Sequence, residues 1–249
     1  MLILAHRGAS GYAPENTMAA FRLAYEQQAS GIEMDVHLTA DGEIVICHDD
    51  TLERTSNGAG ELRKKMLGEL QQYDFGSWYS DQYRGEKIPT FGEFWDWFIT
   101  TDENFIVNVE IKNGPFFHIG IEQKLVDIMR KQPLNNLYNR VIVSCFHHAT
   151  LSKIKTIDPL IKTAPLFEGT PVDVVAMCNN SGHSEYIHPC YSSLDDTMIT
   201  AAKVANIGIN AWTVNTVEQL EYVKQFDITG VITNYPDRAR AVLYGKAES

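Results

Sequence analysis

The sequence predicts one α/β domain, a (β/α)₈ (TIM) barrel spanning residues 1–249, with a small insertion after its second strand. Short apolar runs alternate with amphipathic stretches, and eight such pairs can be counted. Alternating strands and helices form parallel sheets, and about 250 residues is the usual size of a closed eight-unit barrel. A doubly wound open sheet is the alternative, but the GxGxxG motif that often follows its first strand is absent.

The predicted elements follow one another regularly. The first apolar run, residues 2–5, leads into a Gly-containing turn and a helix for which Asn16 or Thr17 is a suitable N-cap. The second strand, 32–37, is followed by an Asp-Gly turn and a short returning strand, 43–47. We predict the other strands at 105–111, 141–146, 161–167, 185–188, 208–214 and 230–233. We predict the later helices at 91–100, 117–131, 148–157, 171–179, 195–205, 217–226 and 236–244.

Residues 51–88 interrupt this alternation. Glycines, charges and isolated aromatic residues occur there without a helical or strand period. A stretch of this length is too long for an ordinary connection. We therefore predict an insertion of loops and short elements with a role of its own, such as covering a site.

Composition limits the kinds of partner. The formal net charge is −11, which argues against binding to nucleic acid or to anionic membranes. A small anionic substrate stays compatible, because a local cation can reverse the field in a pocket. No stretch approaches the ~18 apolar residues of a membrane span. The four cysteines form no CxxC pair and the short N-terminal run has no basic flank, so we expect free thiols in a cytoplasmic protein.

Polar and aromatic residues end the predicted strands, which is where a barrel carries its active site. The candidates are, in chain order, His6, Arg7, Glu33, Asp35, His48, Glu110, Lys112 and Trp212. Residues two apart on a strand point to one face, so three carboxylates can converge. Their repulsion would raise each pKa unless a cation is present, and an all-oxygen set suits Mg²⁺ or Ca²⁺ better than zinc.

The other candidates suit a phosphodiester. Arg7 offers bidentate contacts to a phosphate, and Lys112 adds a point charge. His6 and His48 can act as an acid and a base, although their two roles cannot be assigned from sequence. Trp212, together with Phe146, can line the place where carbon atoms of the substrate lie.

Each feature alone also has a structural explanation, such as a hydrogen-bonded histidine, a solvated strand end or a surface ion pair. We keep that interpretation for His118, His147, His183 and His188. For the candidate set, the functional interpretation is favoured because its members fall at the same end of strands that periodicity places independently.

Short motifs also occur in a fixed order from residue 6 to residue 237. They are His6-Arg7-Gly8, Pro14-Glu15-Asn16-Thr17, Glu33-Met34-Asp35-Val36, Asp41-Gly42, the run 48–55 with Asn57-Gly58, Glu110-Ile111-Lys112, Trp212-Thr213-Val214-Asn215 and Thr233-Asn234-Tyr235-Pro236-Asp237. Each motif is weak alone. Together they resemble the glycerophosphodiester phosphodiesterase family over nearly the whole chain.

The resemblance implies hydrolysis of a glycerophosphodiester, such as glycerophosphocholine or glycerophosphoethanolamine, to sn-glycerol 3-phosphate and an alcohol. It implies one divalent cation, Mg²⁺ or Ca²⁺ with Mn²⁺ as a further option, held by Glu33, Asp35 and Glu110. It implies that His6 and His48 form the acid/base pair and that Arg7 and Lys112 contact phosphate. The expected partner is this small molecule, with no nucleic acid and no membrane span. The oligomeric state stays open, with a homodimer as one option.

Three alternatives remain at this point. The first is a lysophospholipase D-like or phospholipase-like phosphodiesterase that acts on a larger lipid. The second is a non-catalytic barrel that binds phosphate esters, which is disfavoured because every acid/base and ligand position is filled. The third is a Mg²⁺-dependent lyase or isomerase acting on a phosphorylated sugar, but the late glycine-rich phosphate loop of such barrels is not evident.

Overall fold

A closed barrel of eight parallel strands forms the centre of the protein, as a computed structural model describes it for residues 1–131 and 137–245. Strand β1 (Leu2–His6) pairs with β2 (Gly31–Leu38) on one side and with β9 (Gly230–Thr233) on the other, which closes the sheet. Strand β3 returns antiparallel along β2 and lies outside the eight. The strands are β1 (Leu2–His6), β2 (Gly31–Leu38), β3 (Ile44–Ile46), β4 (Ile106–Ile111), β5 (Val141–Cys145), β6 (Lys162–Phe167), β7 (Tyr186–Pro189), β8 (Gly208–Ala211) and β9 (Gly230–Thr233).

Helices alternate with these strands, so the predicted barrel is confirmed. They are α1 (Met18–Glu26), α2 (Leu67–Leu70), α3 (Phe91–Phe98), α4 (Ile121–Met129), α5 (His148–Ile157), α6 (Val174–Asn180), α7 (Asp196–Val204), α8 (Val217–Val223) and α9 (Pro236–Tyr244). Within the described ranges, none of the helices is both long and apolar enough to span a bilayer. Cys47, Cys145, Cys178 and Cys190 are all free thiols.

Helix boundaries follow local capping chemistry. Thr17, rather than Asn16, caps α1, since its hydroxyl accepts the Ala20 N–H at 3.2 Å. Helix α4 was predicted from residue 117 but begins at Ile121, after Gly120 with a φ of 88°. Helix α6 was predicted from residue 171 but begins at Val174, because the Asp173 carboxylate accepts two N–H groups of its first turn.

The two faces of the barrel strands have different environments. One set of alternate residues packs against the helices, where an aromatic cluster fills the space beside α3. Its members Phe21, Phe91, Phe94, Trp95 and Phe98 are no more than 1% exposed. The other set faces the barrel interior and carries the polar groups of the site.

Residues 51–88 form the predicted insertion, built of turns, two short 3₁₀ segments and α2. Its residues Leu52, Leu62 and Leu70 form a small apolar cluster with Val45 of β3 and with Cys47. It also contacts the β1–α1 loop: the Tyr79 hydroxyl donates to the Gly11 carbonyl at 2.8 Å, and the Tyr83 hydroxyl donates to the Tyr12 carbonyl at 3.0 Å. These two hydrogen bonds hold the insertion beside the loop that follows the carboxyl end of β1.

One interior histidine links the fold to pH. His188 on β7 is fully buried, and its Nε2 accepts a hydrogen bond from the Asn210 side chain at 3.0 Å. Its Nδ1 has no partner among the residues that the structure describes. Burial lowers the pKa of His188 from 6.5 to about 3.

Stability should therefore decrease with acidification. Between pH 6.5 and about 3 the unfolded chain binds a proton at residue 188 that the folded chain excludes. This group alone should remove about 1.4 kcal/mol of unfolding free energy per pH unit in that window. Urea unfolding at pH 7, 6 and 5 measures the slope, and the His188→Gln variant should show a shallower one. Equal slopes in the two proteins would contradict this assignment.

Candidate active site

Three buried carboxylates lie on the neighbouring strands β2 and β4, and Glu33 is level with His6 at the end of β1. Asp35 is opposite Glu110 in the strand register, and Glu33 is two residues earlier on β2, facing the same side. One oxygen from each residue lies within 4.8 Å of the others. Glu33, Asp35 and Glu110 are 3%, 1% and 9% exposed, so water screens their mutual repulsion only weakly.

Two cations partly balance this charge. The Lys112 Nζ lies 2.8 Å from Glu110 and 3.5 Å from Asp35, and the Arg7 Nε lies 3.4 Å from Asp35. Burial alone would raise the pKa of Asp35, but Lys112 and Arg7 outweigh burial and hold it below its ordinary value. The Asn16 amide adds a hydrogen bond to Asp35 at 2.9 Å. Asp35 is thus kept ionised.

The balance is incomplete. Burial and the charge of Asp35 raise the pKa of Glu33 well above its ordinary value. Burial also raises the pKa of Glu110, and Lys112 offsets this only in part. Two buried carboxylates therefore carry a cost that a further positive charge would remove. This donor set, made only of oxygens, fits a hard divalent cation.

His6 ends β1 and is held by a neighbouring strand. Its Nδ1 lies 2.7 Å from the Asn234 Oδ1, so Nδ1–H donates and Nε2 is left as the acceptor in the neutral ring. Nε2 lies 4.0 Å from Glu33. Burial and the neighbouring Arg7 lower the pKa of His6 to about 4.

The turn after His6 depends on Gly8. Gly8 has a φ of +81°, and a Cβ there would lie 2.7 Å from the backbone of Ala20 in α1. The absent side chain lets the turn approach α1, and the Arg7 N–H points at Glu33, to which it donates at 2.9 Å.

His48 reaches the site from the segment after β3. Its Nδ1 donates to Asp49 at 2.6 Å. Burial would raise the pKa of Asp49, but hydrogen bonds from Arg54 and His48 lower it to about 2. Asp49 is therefore an ionised acceptor, and the Nε2 of His48 stays available as in His6.

These groups surround one cavity of about 460 Å³ that opens to solvent. Its polar side carries His6, Arg7, Glu33, His48, Asn108, Glu110 and Lys112. Its other side is largely apolar and carries Phe146, Leu166, Trp212, Thr213 and Ile232. Seven of the eight residues that the sequence predicts line it, and Asp35 lies against Arg7 and Lys112 at its edge. None of His118, His147, His183 and His188 lines this cavity.

Sequence reasoning did not assign five residues that hold the predicted ones in place. They are Glu15, Asn16, Asp49, Arg54 and Asn234, whose side chains contact Arg7, Asp35, His48 or His6 directly or through one another. Each lies within a motif that the resemblance had singled out. The sequence shows that these five residues are polar and lie in predicted loops. It does not show which distant residue each of them contacts.

The closed barrel with this charged, partly apolar cavity at the carboxyl ends of its strands defines a (β/α)₈ enzyme suited to a small anionic ester. Residues 6–238 match the model of the glycerophosphoryl diester phosphodiesterase family. A glycerophosphodiester phosphodiesterase of Caldanaerobacter subterraneus is 36% identical over 236 residues, covering 95% of each chain. One of Bacillus altitudinis is 32% identical, covering 95% of this chain and 96% of the relative.

The structural comparison agrees. An Oleispira antarctica phosphodiesterase, solved in complex with the product sn-glycerol-3-phosphate, superposes with a TM-score of 0.84 at 28% identity, covering 98% of this chain and 96% of that one. The chain belongs to the glycerophosphoryl diester phosphodiesterase family. It is accordingly a hydrolase with glycerophosphodiester phosphodiesterase activity.

The incomplete charge balance has a measurable consequence. In metal-free protein, Glu33→Gln should raise the melting temperature by about 2–4 °C, equivalent to about 1 kcal/mol, because it removes a carboxyl group whose charged form burial and Asp35 disfavour, and keeps the acceptor for Arg7 N–H. Calorimetry in EDTA measures this. Glu221→Gln, at a site 56% exposed, is the control and should have little effect. A lower melting temperature for Glu33→Gln would show that the Glu33 carboxyl group is not a cost to the folded protein.

Proposed function

We propose that this enzyme is a metal-dependent phosphodiesterase that hydrolyses glycerophosphodiesters to sn-glycerol 3-phosphate and an alcohol by acid/base catalysis with two histidines. The observation that carries the proposal is the convergence of three buried carboxylates, two cations and two imidazoles on one cavity. Glycerophosphocholine and glycerophosphoethanolamine are the proposed substrates. The same chemistry would serve other small alcohol groups.

Glu33, Asp35 and Glu110 would hold the divalent cation, for which Mg²⁺, Ca²⁺ and Mn²⁺ are the candidates. Their all-oxygen chemistry and the raised pKa of Glu33 support this role. When bound, such a cation supplies a Lewis acid that offsets negative charge on a phosphoryl oxygen.

Arg7 and Lys112 would orient the phosphate. Arg7 is 17% exposed and Lys112 is 18% exposed, and both lie beside the carboxylates. A phosphate that enters the cavity can therefore reach both side chains. The planar guanidinium of Arg7 suits two phosphate oxygens, and the Lys112 ammonium adds charge from the other side. This pair would also exclude uncharged esters.

The hydrogen-bond partners of the two imidazoles favour different roles. Asn234 is a neutral acceptor for His6, which leaves a neutral ring with a lone pair on Nε2 for taking a proton from the nucleophile. Asp49 is an ionised acceptor, which places a negative charge beside the His48 ring. We therefore propose that His6 is the general base and His48 the general acid that protonates the departing alcohol.

The nucleophile is either the glycerol 2-hydroxyl, which would give a cyclic phosphate that water then opens, or water itself. Trp212 would bind the carbon atoms of the substrate, together with Phe146, whose ring packs edge-on against it at 5.7 Å between centroids. Both line the apolar side of the cavity.

A second candidate substrate is a lysophospholipid, and one observation favours it. Aromatic rings continue outward from the cavity: Phe146 is 45% exposed, and Phe117, 58% exposed, packs edge-on against His147, the neighbour of Phe146. Sequence alone had given no clear sign of such an apolar rim. An aliphatic chain could lie on it, so the substrate test includes lysophosphatidylcholine.

The first test is release of sn-glycerol 3-phosphate from glycerophosphocholine and glycerophosphoethanolamine, with EDTA and after return of Mg²⁺, Ca²⁺ or Mn²⁺. We expect EDTA to abolish release and one ion to restore it. Release unaffected by exhaustive chelation, with metal loss verified by elemental analysis, would overturn the metal role. Turnover of lysophosphatidylcholine alone would move the assignment to the lipid substrate.

The acid/base roles predict a selective loss of turnover. His6→Ala and His48→Ala should each lower kcat by about 10²–10⁴-fold, since each removes one proton-transfer group. Mn²⁺ affinity measured by calorimetry should stay near that of the wild type. His183→Ala, an exposed histidine outside the cavity, is the matched control. A variant of residue 6 or 48 that keeps most of its kcat would sink the role of that histidine.

A further inference from the structure

Arg54, in the insertion, bridges two carboxylates of the site. Its Nε and Nη2 donate to Asp49 at 2.6 and 2.9 Å, and its Nη1 and Nη2 donate to Glu15 at 2.8 and 2.7 Å. One guanidinium thus forms two bidentate pairs. Asp49 and Glu15 are 25% and 13% exposed, while Arg54 itself is 45% exposed. Arg54 is therefore the most exposed member of the bridge.

Each carboxylate holds a different functional group. Asp49 accepts the Nδ1–H of His48, and Glu15 accepts the Nη1–H of Arg7 at 2.8 Å. A continuous chain of alternating charge therefore runs from the His48 ring through Arg54 to the Arg7 guanidinium. Arg7 then continues it to Asp35.

The geometry of this chain requires arginine. A guanidinium presents its N–H groups in a rigid plane and can pair with two carboxylates at once. A lysine at the same position offers one ammonium, which cannot meet four oxygen positions on two side chains. Without the bridge, Asp49 and Glu15 would repel each other and be free to turn away from His48 and Arg7.

We propose that Arg54 is a positioning residue that couples the orientation of His48 to that of Arg7. The proposal rests on the roles of His48 and Arg7 given above. In this proposal Arg54 itself contacts none of the reacting atoms. Its effect passes through Asp49 to proton transfer and through Glu15 to phosphate binding.

If Arg54 had a purely structural role, its replacement would destabilise the insertion and lower the melting temperature. The insertion has other attachments, namely the apolar cluster that it shares with Val45 of β3 and the hydrogen bonds of Tyr79 and Tyr83 to the β1–α1 loop. Its fold should therefore survive a change at residue 54. Loss of activity with an unchanged melting temperature separates positioning from folding.

The test is Arg54→Lys, with Arg84→Lys as the matched control. Arg84 lies in the same insertion and pairs with Asp81 on the exposed surface, away from the site. We expect Arg54→Lys to lower kcat/KM by about 10–100-fold, with both a lower kcat and a higher KM, because small displacements of reacting groups have effects of this size. Arg84→Lys should match the wild type.

A double-mutant cycle then assigns each branch. In the Asp49→Asn background, Arg54→Lys should cause little further loss of kcat, and in the Glu15→Gln background little further rise of KM, because the coupled partner is already gone. Effects of Arg54→Lys that are fully additive in both backgrounds would overturn the proposal. So would wild-type kinetics in Arg54→Lys.

One readout does not depend on turnover. In the wild type, ¹⁵N spectra should show His48 with its proton on Nδ1, as the bond to Asp49 requires. Arg54→Lys should produce a mixture of the two neutral tautomers, whereas Arg84→Lys should not. If the protein failed to hydrolyse any glycerophosphodiester, this measurement would still decide the positioning role. An unchanged tautomer would refute it.

Discussion

The site depends on an unequal balance between buried negative and positive charge. Three carboxylates lie within 4.8 Å of one another, and Lys112 and Arg7 are the cations that contact them directly among the residues that the structure describes. Asp35 receives most of that compensation, while Glu33 keeps a strongly raised pKa. A divalent cation would relieve this cost in the folded protein and would in turn offset the negative charge of a phosphodiester. The surrounding barrel holds the carboxylates in place because each sits on a strand.

Much of this arrangement could be predicted from the sequence, since it depends on local alternation. Glu33 and Asp35, or Glu110 and Lys112, share a face because they are two residues apart on a strand, whatever the rest of the chain does. Element ends that depend on one cap, such as the start of α4 after Gly120, were less predictable. Arg54 and Glu15 are 39 residues apart, and nothing in either local sequence indicates their pairing. That pairing arises only when the insertion folds back on the β1–α1 loop.

The hydrogen bonds of the two histidines show that residue type alone does not determine the chemical properties of a side chain. His6 and His48 are equivalent in a sequence, and each donates from Nδ1 in the structure. The neutral amide of Asn234 and the carboxylate of Asp49 make their surroundings electrically different. Asp49 is adjacent in sequence, whereas Asn234 comes from the far end of the chain, 228 residues away. Closure of the barrel, which places β9 beside β1, creates the second contact.

His48 lies outside the eight barrel strands, so two different parts of the chain supply the residues of the site. The strands and the residues directly after them supply His6, the three carboxylates and Lys112, whereas His48, Asp49 and Arg54 belong to the segment that begins after β3. A barrel in which that segment had swung away would keep a charged pocket able to receive a phosphodiester. In the mechanism proposed above, it would lack the second proton-transfer group. Such a molecule would bind the substrate without cleaving it, so the segment after β3 separates binding a phosphodiester from breaking it.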